Sequence, residues 1–375
     1  MNLSPHDKAG PLRSAASSRP NRYDLLAGVG GIGTGIFFLL EGDHTLGRNE
    51  SRQGRLLPVR DYCKLHIVSH YVGVLLNARA GGFRVVPIGK VGGDEHAGKL
   101  IDEMRQAGID VRFVETVADR PTLMSVCFQY PDGSGGNVTT SESAASLLTP
   151  GDVDRAAPLL AEAEGRCIAL AAPEVPLAAR NRLLELAGRH GGLRVAAVTS
   201  AEAGQARRLG LFGQVDLLSV NQDEAAAILG RPAGPGPIET MLDDLAAELV
   251  SAQPGMRIIL SAGAGGAFGY AGGLWDFCPA ARVNVASTAG AGDALLAGAI
   301  AGLAGDLPLI EPGPKRRSLA DRPLASALDL GVLLAGFSVT SSHTIHPDAD
   351  GRTLVEFAAG LGVALTGPMR QLLER

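Results

Sequence analysis

Short apolar runs that alternate with amphipathic segments constrain the fold of this chain more than any other feature. The runs have the length of buried strands, and they are DLLAGVG (24–30), RVVPIG (84–89), RCIALAA (166–172), LRVAAV (193–198), VDLLSV (215–220) and MRIILSAG (256–263). Segments of helical periodicity between them are EHAGKLIDEMRQAG (95–108), PLAARNRLLELAGRHG (176–191) and IETMLDDLAAELVSA (238–252). Strands that alternate with helices predict βαβ units and a parallel sheet covered on both faces. We therefore expect a doubly wound α/β fold, whose ligands bind at the carboxyl ends of the strands.

Two segments do not follow this alternation, and we interpret them as inserts in one domain over residues 23–375. Residues 36–66 are polar and irregular, whereas residues 111–141 are rich in β-formers and contain PDGSGG, a turn typical of a hairpin. Together the inserts predict a small β lid over the site. Residues 1–22 are polar and contain Pro and Ser, which predicts a disordered tail.

Composition excludes several classes of protein. With 46% hydrophobic and 19% charged residues the chain is globular, and its net charge of −5 argues against a nucleic-acid binder. The four cysteines form no CxxC pair, which fits a reducing cytosol better than a disulfide framework. The start of the chain lacks an apolar signal region, and the apolar stretch 25–40 is too short and too glycine-rich for a membrane span. We expect a cytoplasmic protein with neither a membrane nor a nucleic-acid partner.

The stretch STAGAGDALLAG (287–298) places glycines and one acid at the start of a predicted helix. Gly290 and Gly292 leave the backbone N–H groups bare, and a helix N-terminus of this kind is suited to bind phosphate. Asp293 has two interpretations: it is a favourable partner of the helix dipole, or it is a base beside a phosphate site. The second interpretation indicates phosphoryl transfer.

Two other predicted strands end in sequence that is polar or rich in glycine. In SVNQDE, Asn221 and Glu224 fit either a capping box or a magnesium site in which both residues hold the ion through water. In LSAGAGG, Ser261, Gly263 and Gly266 form a loop whose backbone can approach a phosphate. Both segments are therefore candidates for binding a nucleotide and its metal ion.

Two further patterns point elsewhere. GVGGIG follows a predicted strand and matches the dinucleotide fingerprint, with Glu50 as the nearest acid for a ribose. Its glycines are Gly28, Gly30 and Gly33. This alternative would make the protein an NAD(P)-binding oxidoreductase. His66 and His70 have the i, i+4 spacing of metal ligands on a helix, but no third ligand is evident, and we interpret them as core or pocket histidines.

In chain order, NQDE, SAGAGGA and TAGAGDALLAG resemble three motifs of the ribokinase-like (PfkB) carbohydrate kinases. They are similar to that family's N-x-x-E magnesium motif, its nucleotide loop and its C-terminal GAGD signature. PIGKVGGDEHAGKLIDEMRQAGIDV and RPTLMSVCFQYPDGSGGNVT also resemble the family's segment after the third strand and its lid strand. The resemblance spans roughly residues 24–350.

The resemblance implies a three-layer α/β/α fold with a β lid, and ATP-dependent phosphorylation of a hydroxyl group on a sugar or sugar-like molecule. The residues that it implies are Asp293 as general base, Gly290, Ala291 and Gly292 as anion hole, Asn221 and Glu224 as holders of Mg²⁺ through water, and Ser261, Gly263 and Gly266 as nucleotide contacts. It also implies that a helix near residues 325–343 closes the adenine pocket, and that the lid pairs two copies into a homodimer.

The chain departs from the family where the family binds its sugar. Gly35 stands where the family has an Asp that binds sugar hydroxyls, IVSHYV (67–72) replaces its G-G-x-x-x-N motif, and Ser287 replaces an Asp near a monovalent-cation site. Because the bulky residues of IVSHYV would fill the usual pocket, we expect a polar or even charged substrate in place of ribose or fructose. The candidate substrate residues are Gly35, Arg48, Asn49, Glu50, His66 and His70. A catalytically silent ligand-binding member of the family is a further alternative.

Overall fold

The computed structural model of the chain describes residues 21–132, 135–232 and 237–375. Of the tail expected over residues 1–22, all but the last two residues lie outside the described part of the chain. Asn21 is buried, and its backbone carbonyl accepts a hydrogen bond of 2.5 Å from Arg166. The chain is therefore packed against the domain from the first residue that the structure describes.

The described residues contain strands of two sheets. Their bounds are β1 (Leu25–Val29), β2 (Gly33–Leu40), β3 (Gly54–Tyr62), β4 (Arg84–Gly92), β5 (Phe113–Val117), β6 (Leu123–Gln129), β7 (Gly135–Thr139), β8 (Cys167–Ala171), β9 (Leu193–Ala197), β10 (Leu217–Asn221), β11 (Arg257–Ser261), β12 (Gly266–Ala271) and β13 (Leu274–Pro279). The main sheet has nine strands in the order β13-β12-β11-β10-β9-β8-β1-β4-β5. Two pairs, β11 with β12 and β12 with β13, are antiparallel, and the other six pairs are parallel, so the sheet is mostly parallel.

Helices cover both faces of the main sheet. They are α1 (Lys64–Leu75), α2 (Glu95–Gln106), α3 (Pro150–Asp154), α4 (Ala157–Glu162), α5 (Leu177–Arg189), α6 (Ala203–Arg208), α7 (Gln222–Ile228), α8 (Ile238–Ala252), α9 (Ala291–Ala304), α10 (Ala327–Ser338), α11 (Gly351–Gly360) and α12 (Gly367–Leu373). Across the described ranges, no helix combines the length and the apolar character that crossing a bilayer requires.

Adjacent residues of a central strand show the three layers. Leu217 and Leu218 follow each other in β10, but they pack into different clusters of buried side chains. The cluster of Leu217 includes Leu296 of α9, and the cluster of Leu218 includes Leu245 of α8. Because successive side chains of a strand point to opposite faces, the sheet lies between two helical layers. The predicted doubly wound α/β class is confirmed.

The structure corrects the predicted inserts at two places. β5 lies within the second insert, but it pairs parallel with β4 and extends the main sheet. Residues 64–66 lie within the first insert, but they form the first turn of α1. Both errors arise because a short apolar segment has no property that tells which sheet or helix layer will bury it.

The remaining strands of the two inserts form the second, smaller sheet, in the order β3-β2-β6-β7. β2 is parallel to β6, and the other two pairs are antiparallel. β2 begins three residues after β1 ends, and β3 leads directly into α1. This sheet therefore stands next to the carboxyl end of β1, the edge where ligands of such folds bind.

Candidate active site

The GAGD stretch forms a tight turn that starts α9. Gly290 is the N-cap residue of this helix and has φ 78°, a left-handed conformation that favours glycine. A Cβ atom at this position would lie 2.8 Å from the backbone oxygen of Thr344, so space also requires glycine there. Gly292 differs, because a Cβ atom there would have no atom within 4 Å. The first turn of α9 therefore opens onto free space in which a ligand fits.

Asp293 and Lys64 bring the N-termini of two helices together. Asp293 lies in the first turn of α9, and its Oδ1 forms an ion pair with Nζ of Lys64, the first residue of α1. The two side chains are 15% and 23% exposed, so the pair borders the open space but is largely shielded from solvent. Burial opposes the charge of Lys64, but Asp293, with Glu224 and Glu174, outweighs it and holds the pKa of Lys64 above its ordinary value. Two helix N-termini and one lysine make this corner attractive to negatively charged groups.

Glu174 is a site residue that the sequence analysis missed. It follows β8 closely, has a positive φ of 73°, and its Oε2 is buried with no hydrogen-bond partner among the described residues. Burial raises its pKa to about 7, and the charges of Asp293 and Asp61 act in the same direction. A Cβ atom on Gly31 would lie 2.6 Å from Oε2, so a small residue makes room for this carboxyl group. The signal in the sequence is an acid just beyond the carboxyl end of a buried strand.

Asp61 is the second missed acid. It lies near the end of β3 opposite Gly35 of β2, and its Oδ2 lies 3.9 Å from Sγ of Cys127. Burial raises its pKa to about 6, and the charge of Asp293 adds to this shift. The acid is thus electrostatically coupled to the candidate base.

Asn221 and Glu224 form the capping box that was one of their two interpretations. Oε2 of Glu224 accepts from the backbone N–H of Asn221, and Oδ1 of Asn221 accepts from that of Glu224, both at 2.8 Å. Glu224 also faces the site, because the charges of Lys64 and Asp293 act on it, although burial is the main cause of its raised pKa. In the described part of the chain no three His, Cys, Asp or Glu residues are grouped as metal ligands. The magnesium role of this pair stays a prediction.

The loop between β11 and β12 has the expected glycine geometry. Ser261 ends β11, and Gly263 has φ 53° with no atom within 4 Å of a Cβ position. Gly266 has φ 115°, and a Cβ atom there would overlap the backbone oxygen of Cys278. The backbone at Gly263 is thus accessible to a ligand. At Gly266 the neighbouring strand leaves no room for a side chain.

The candidate substrate residues at 48–50 lie in the loop between β2 and β3. Arg48 and Asn49 are exposed. Glu50 accepts hydrogen bonds from the backbone N–H of Gly47 at 2.7 Å and from Arg52 at 2.8 Å. These bonds hold the loop together, and the substrate role of its residues remains a prediction.

His66 and His70 lie in α1, and they line a cavity of about 470 Å³ together with Arg60, Arg79 and His343. Burial lowers the pKa of His66 to about 3 and that of His70 to about 4, so both rings are neutral. Their positions agree with core or pocket histidines. A role of either residue in substrate binding stays a prediction.

The expectation that IVSHYV fills the sugar pocket is wrong. Residues 67–72 are in the middle of α1, and Ile67, Val68 and Tyr71 are buried in the core. The end of α1 that meets Asp293 is its first residue, Lys64. These bulky side chains are therefore part of the core of the domain.

The oxidoreductase alternative is also wrong. A dinucleotide fingerprint needs a helix whose N-terminus meets the pyrophosphate directly after the glycine turn. Here Gly33 is the first residue of β2, so the chain passes from β1 into the small sheet. Gly28 and Gly30 instead allow close packing, since a Cβ atom on either one would press against Leu65 of α1.

A second cavity, of about 240 Å³, lies between the small sheet and the segment that precedes the GAG turn. Its apolar wall includes Phe37 and Leu57 of the small sheet. The opposite wall consists of residues 286–289, and Cys127 also lines the space. The inner face of the small sheet thus covers a cavity next to α9.

Comparisons with known proteins agree with this geometry. A family model described as pfkB family carbohydrate kinase matches residues 74–350. No curated protein sequence matches the chain significantly.

Solved structures match over most of the chain. A ribokinase from Giardia lamblia has a TM-score of 0.68 at 15% identity, covering 93% of this chain and 97% of that one. A ribokinase from Cryptococcus neoformans var. grubii serotype A, solved in complex with ADP, has a TM-score of 0.65 at 21% identity and covers 88% and 98%. A nucleoside kinase from Burkholderia thailandensis, solved in complex with inosine, has a TM-score of 0.65 at 15% identity and covers 91% and 100%. At these identities the likeness shows the fold alone. The family match over residues 74–350 shows more: the chain belongs to the pfkB family of carbohydrate kinases.

Proposed function

We propose that the protein transfers the γ-phosphoryl group of ATP to a hydroxyl group of a sugar or sugar-like molecule. The observation that carries this proposal is the meeting of two helix N-termini, where Lys64 pairs with Asp293 beside the open backbone of Gly292. A phosphoryl group is stabilised at such a corner, and a base is present beside it. The ADP bound to the related Cryptococcus ribokinase supports the choice of nucleotide.

In this proposal Asp293 accepts the proton of the attacking hydroxyl as the new O–P bond forms. The bond from the γ-phosphorus to the β–γ bridging oxygen breaks, and ADP leaves. The ammonium group of Lys64 can leave Asp293 and pair with the oxygens of the transferring phosphoryl group. The carboxylate of Asp293 is then free to act as base. The N–H groups of Gly290, Ala291 and Gly292 stabilise the charge that develops on the phosphoryl oxygens.

The residues present fit a nucleotide and a metal ion. Gly263 offers open backbone at the end of β11, which fits close approach of a phosphate. The capping box uses one carboxylate oxygen of Glu224, so the other oxygen can hold a hydrated ion together with Asn221. When bound, Mg²⁺ would neutralise charge on the phosphates. The helix expected to close the adenine pocket corresponds to α10, Ala327–Ser338.

The direct test measures nucleotide binding and turnover separately. We expect ATP and ADP to raise the melting temperature and NAD(P) to leave it unchanged, because bound ligands stabilise the folded state. We also expect ATP-dependent release of ADP with at least one neutral sugar, polyol or nucleoside. Binding of ATP without turnover of any acceptor would favour the catalytically silent alternative, and stabilisation by NAD(P) alone would contradict the proposal.

The metal role of Glu224 gives a separate prediction. Glu224→Gln should raise the Mg²⁺ concentration for half-maximal rate, because it removes the carboxylate charge while glutamine can still complete the capping box. The matched control is Asp152→Asn, at the same position of the capping box that begins α3. We expect a magnesium titration to be unchanged for this control. An unchanged titration for Glu224→Gln would leave that residue with its capping role alone.

We also propose that the small sheet pairs two copies of the chain. Four large apolar side chains on its four strands are exposed, namely Ile36, Leu56, Val126 and Val138. Val126 and Val138 are directly opposite in the register of β6 and β7, so they form one patch. Ile36, Leu56 and Val126 are each followed in the sequence by a residue that lines the inner cavity, namely Phe37, Leu57 and Cys127. Because successive side chains of a strand point to opposite faces, the patch lies on the outer face.

The double change Val126→Asp and Val138→Asp should therefore produce monomers in sedimentation velocity, whereas the wild type sediments as a dimer. Leu209→Asp is the control, since Leu209 is 49% exposed and lies in the turn after α6, outside the small sheet. A wild type that is monomeric at all concentrations would contradict this assembly. A cytoplasmic location completes the proposal and agrees with the free thiols of the cysteines.

A further inference from the structure

Gly35 and Asp61 share one volume where β2 and β3 pair. A Cβ atom built on Gly35 would overlap Oδ2 of Asp61, whereas the next different neighbour, the backbone oxygen of Ser125, would be 3.2 Å away. Gly35 does not have a positive φ, so its backbone conformation does not require glycine. What excludes a side chain at position 35 is the carboxyl group of Asp61. One of the two strands can fill this volume with a side chain, but not both.

This volume belongs to the acceptor side of the candidate site. Asp61 acts electrostatically on Glu174 and is itself acted on by Asp293. Cys127, whose thiol lies 3.9 Å from the Asp61 carboxyl group, lines the 240 Å³ cavity under the small sheet. The carboxyl group therefore lies between the candidate base and the space that the small sheet covers.

The polar groups that lower the pKa of Asp61, against the effect of burial, are neutral: the backbone N–H of Tyr62, the thiol of Cys127 and the hydroxyl of Thr344. Of these, the thiol donates a hydrogen bond to the carboxyl group. An ionised carboxylate has about four acceptor positions, so capacity remains for hydroxyl groups of a ligand. Hydrogen bonds that a hydroxyl donates to a carboxylate are short and about twice as strong as neutral ones.

Charge restricts the kind of ligand. The carboxyl groups of Asp61 and Asp293 lie on this side of the site, and Lys64 is the cation paired with Asp293. An anionic acceptor would add repulsion at close range, whereas a neutral polyhydroxyl compound supplies the O–H donors that the carboxylates accept.

We propose that Asp61 binds adjacent hydroxyl groups of the acceptor. Its carboxyl group comes from β3 and takes the place of a side chain at position 35 of β2. The acceptor in this proposal is a neutral polyhydroxyl compound. This inference rests on the proposed kinase function. It replaces the expectation of a charged substrate, and it removes the reason for excluding ribose and fructose.

The test begins with ADP release by the wild type on matched neutral and acidic acceptors: D-ribose and D-ribonate, D-glucitol and D-gluconate, with D-fructose, myo-inositol and inosine added. The best acceptor is then used with Asp61→Asn, Asp61→Ala and the exchange variant Gly35→Asp/Asp61→Ala. Asp43→Asn, an exposed aspartate of the β2–β3 loop, is the control. The dissociation constant of ADP and the melting temperature are measured for every variant.

We expect each neutral compound to be a better acceptor than its acid. Asp61→Asn and Asp61→Ala should raise the acceptor KM by about 10- to 100-fold, the range expected for losing hydrogen bonds to a charged group. ADP affinity should stay within twofold, and the exchange variant should recover at least tenfold in KM relative to Asp61→Ala. Recovery of the acceptor KM distinguishes a binding role of Asp61 from a structural one, because the exchange variant supplies the carboxylate from β2 and not from β3.

Three results would overturn the inference. The first is an acceptor KM that Asp61→Asn leaves within twofold of the wild type. The second is an acid that is preferred over its neutral partner. The third is an exchange variant that folds, binds ADP and recovers nothing. Failure of the kinase function has a different signature, because the wild type would then bind ATP but release ADP with no compound, and this result would overturn both proposals.

Discussion

Asp293→Asn should lower kcat by on the order of 10²–10⁴-fold, which is the usual cost of removing a general base. The amide keeps the size of the side chain but cannot take the proton of the attacking hydroxyl. ADP release under saturating ATP and acceptor measures this effect, and ADP affinity should change little. Turnover within a few-fold of the wild type would show that another group is the base.

Stability is the necessary control for this variant. From the sequence alone the change appears isosteric, with little effect on folding, but the structure shows that Asp293 is the ion partner of Lys64. Loss of one partner of a partly buried pair leaves a charge uncompensated, so we expect Asp293→Asn to lose about 1–3 kcal/mol. Lys64→Met/Asp293→Asn should regain most of this loss without regaining turnover. Recovery of turnover in the double variant would mean that the defect was one of folding.

The second large effect is a dependence of the free energy of unfolding on pH, and it is caused by the ionisation of Glu174. The pKa of this residue is raised by burial to about 7, well above its value of 4.5 in an exposed chain. Between these two pH values the folded protein holds a proton that the unfolded chain has released, so stability falls as pH rises through this window. Above pH 7 Glu174 is ionised in the folded protein as well, and the resulting loss in the free energy of unfolding is roughly 3 kcal/mol.

Glu174→Gln should therefore be more stable than the wild type at pH 8, by up to roughly 3 kcal/mol, and equal to it near pH 4. Urea unfolding at a series of pH values measures the difference. Asp61 contributes to the same slope, since its pKa is about 6, but the two carboxyl groups repel each other and their effects will not add. Glu162→Gln, on the surface of α4, is the control and should follow the wild type. A variant curve parallel to the wild type from pH 4 to 8 would contradict a buried, protonated Glu174.

The sequence was sufficient to predict six of the nine strands of the main sheet and the local geometry of the GAG turn and of the capping box, and the reason is local. The run VDLLSV and the strand β10 agree because an apolar run of that length between turn signals has few other solutions. The GAG turn could be predicted because Gly290 carries its own conformational requirement, a left-handed φ at the start of a helix. The capping box of Asn221 is local in the same way.

The contacts around Asp61 could not be predicted, because the residues that make them meet only through tertiary structure. Asp61 stands over Gly35 through strand pairing, and no local pattern indicates which residue of β3 will be opposite. IVSHYV was misplaced because a helical segment does not show from its sequence which of its turns ends at the site. Glu174 could have been found, since an acid beyond the carboxyl end of a buried strand is where these folds bind ligands.

The small sheet has all of its connections to the main domain at one end. β2 and β6 begin at this end, β3 and β7 finish there, and the opposite end carries the loop 41–53 and residues 130–132, which follow β6. The backbone N–H of Arg60 donates a hydrogen bond of 3.0 Å to Nδ1 of His343, and the backbone N–H of Thr344 donates one of 3.1 Å to the carbonyl oxygen of Arg60. These bonds fasten the same end to the segment beside Gly290. Any movement of this sheet would therefore be a rotation about a fixed base. With about 3.3 Å per residue, the nine residues of β3 make a lever of roughly 30 Å, and a rotation of about 10° displaces its tip by about 5 Å. Asp61, next to the base of the lever, would hardly move in such a rotation, so the contacts beside Asp293 would keep their alignment while the tip of the sheet is displaced.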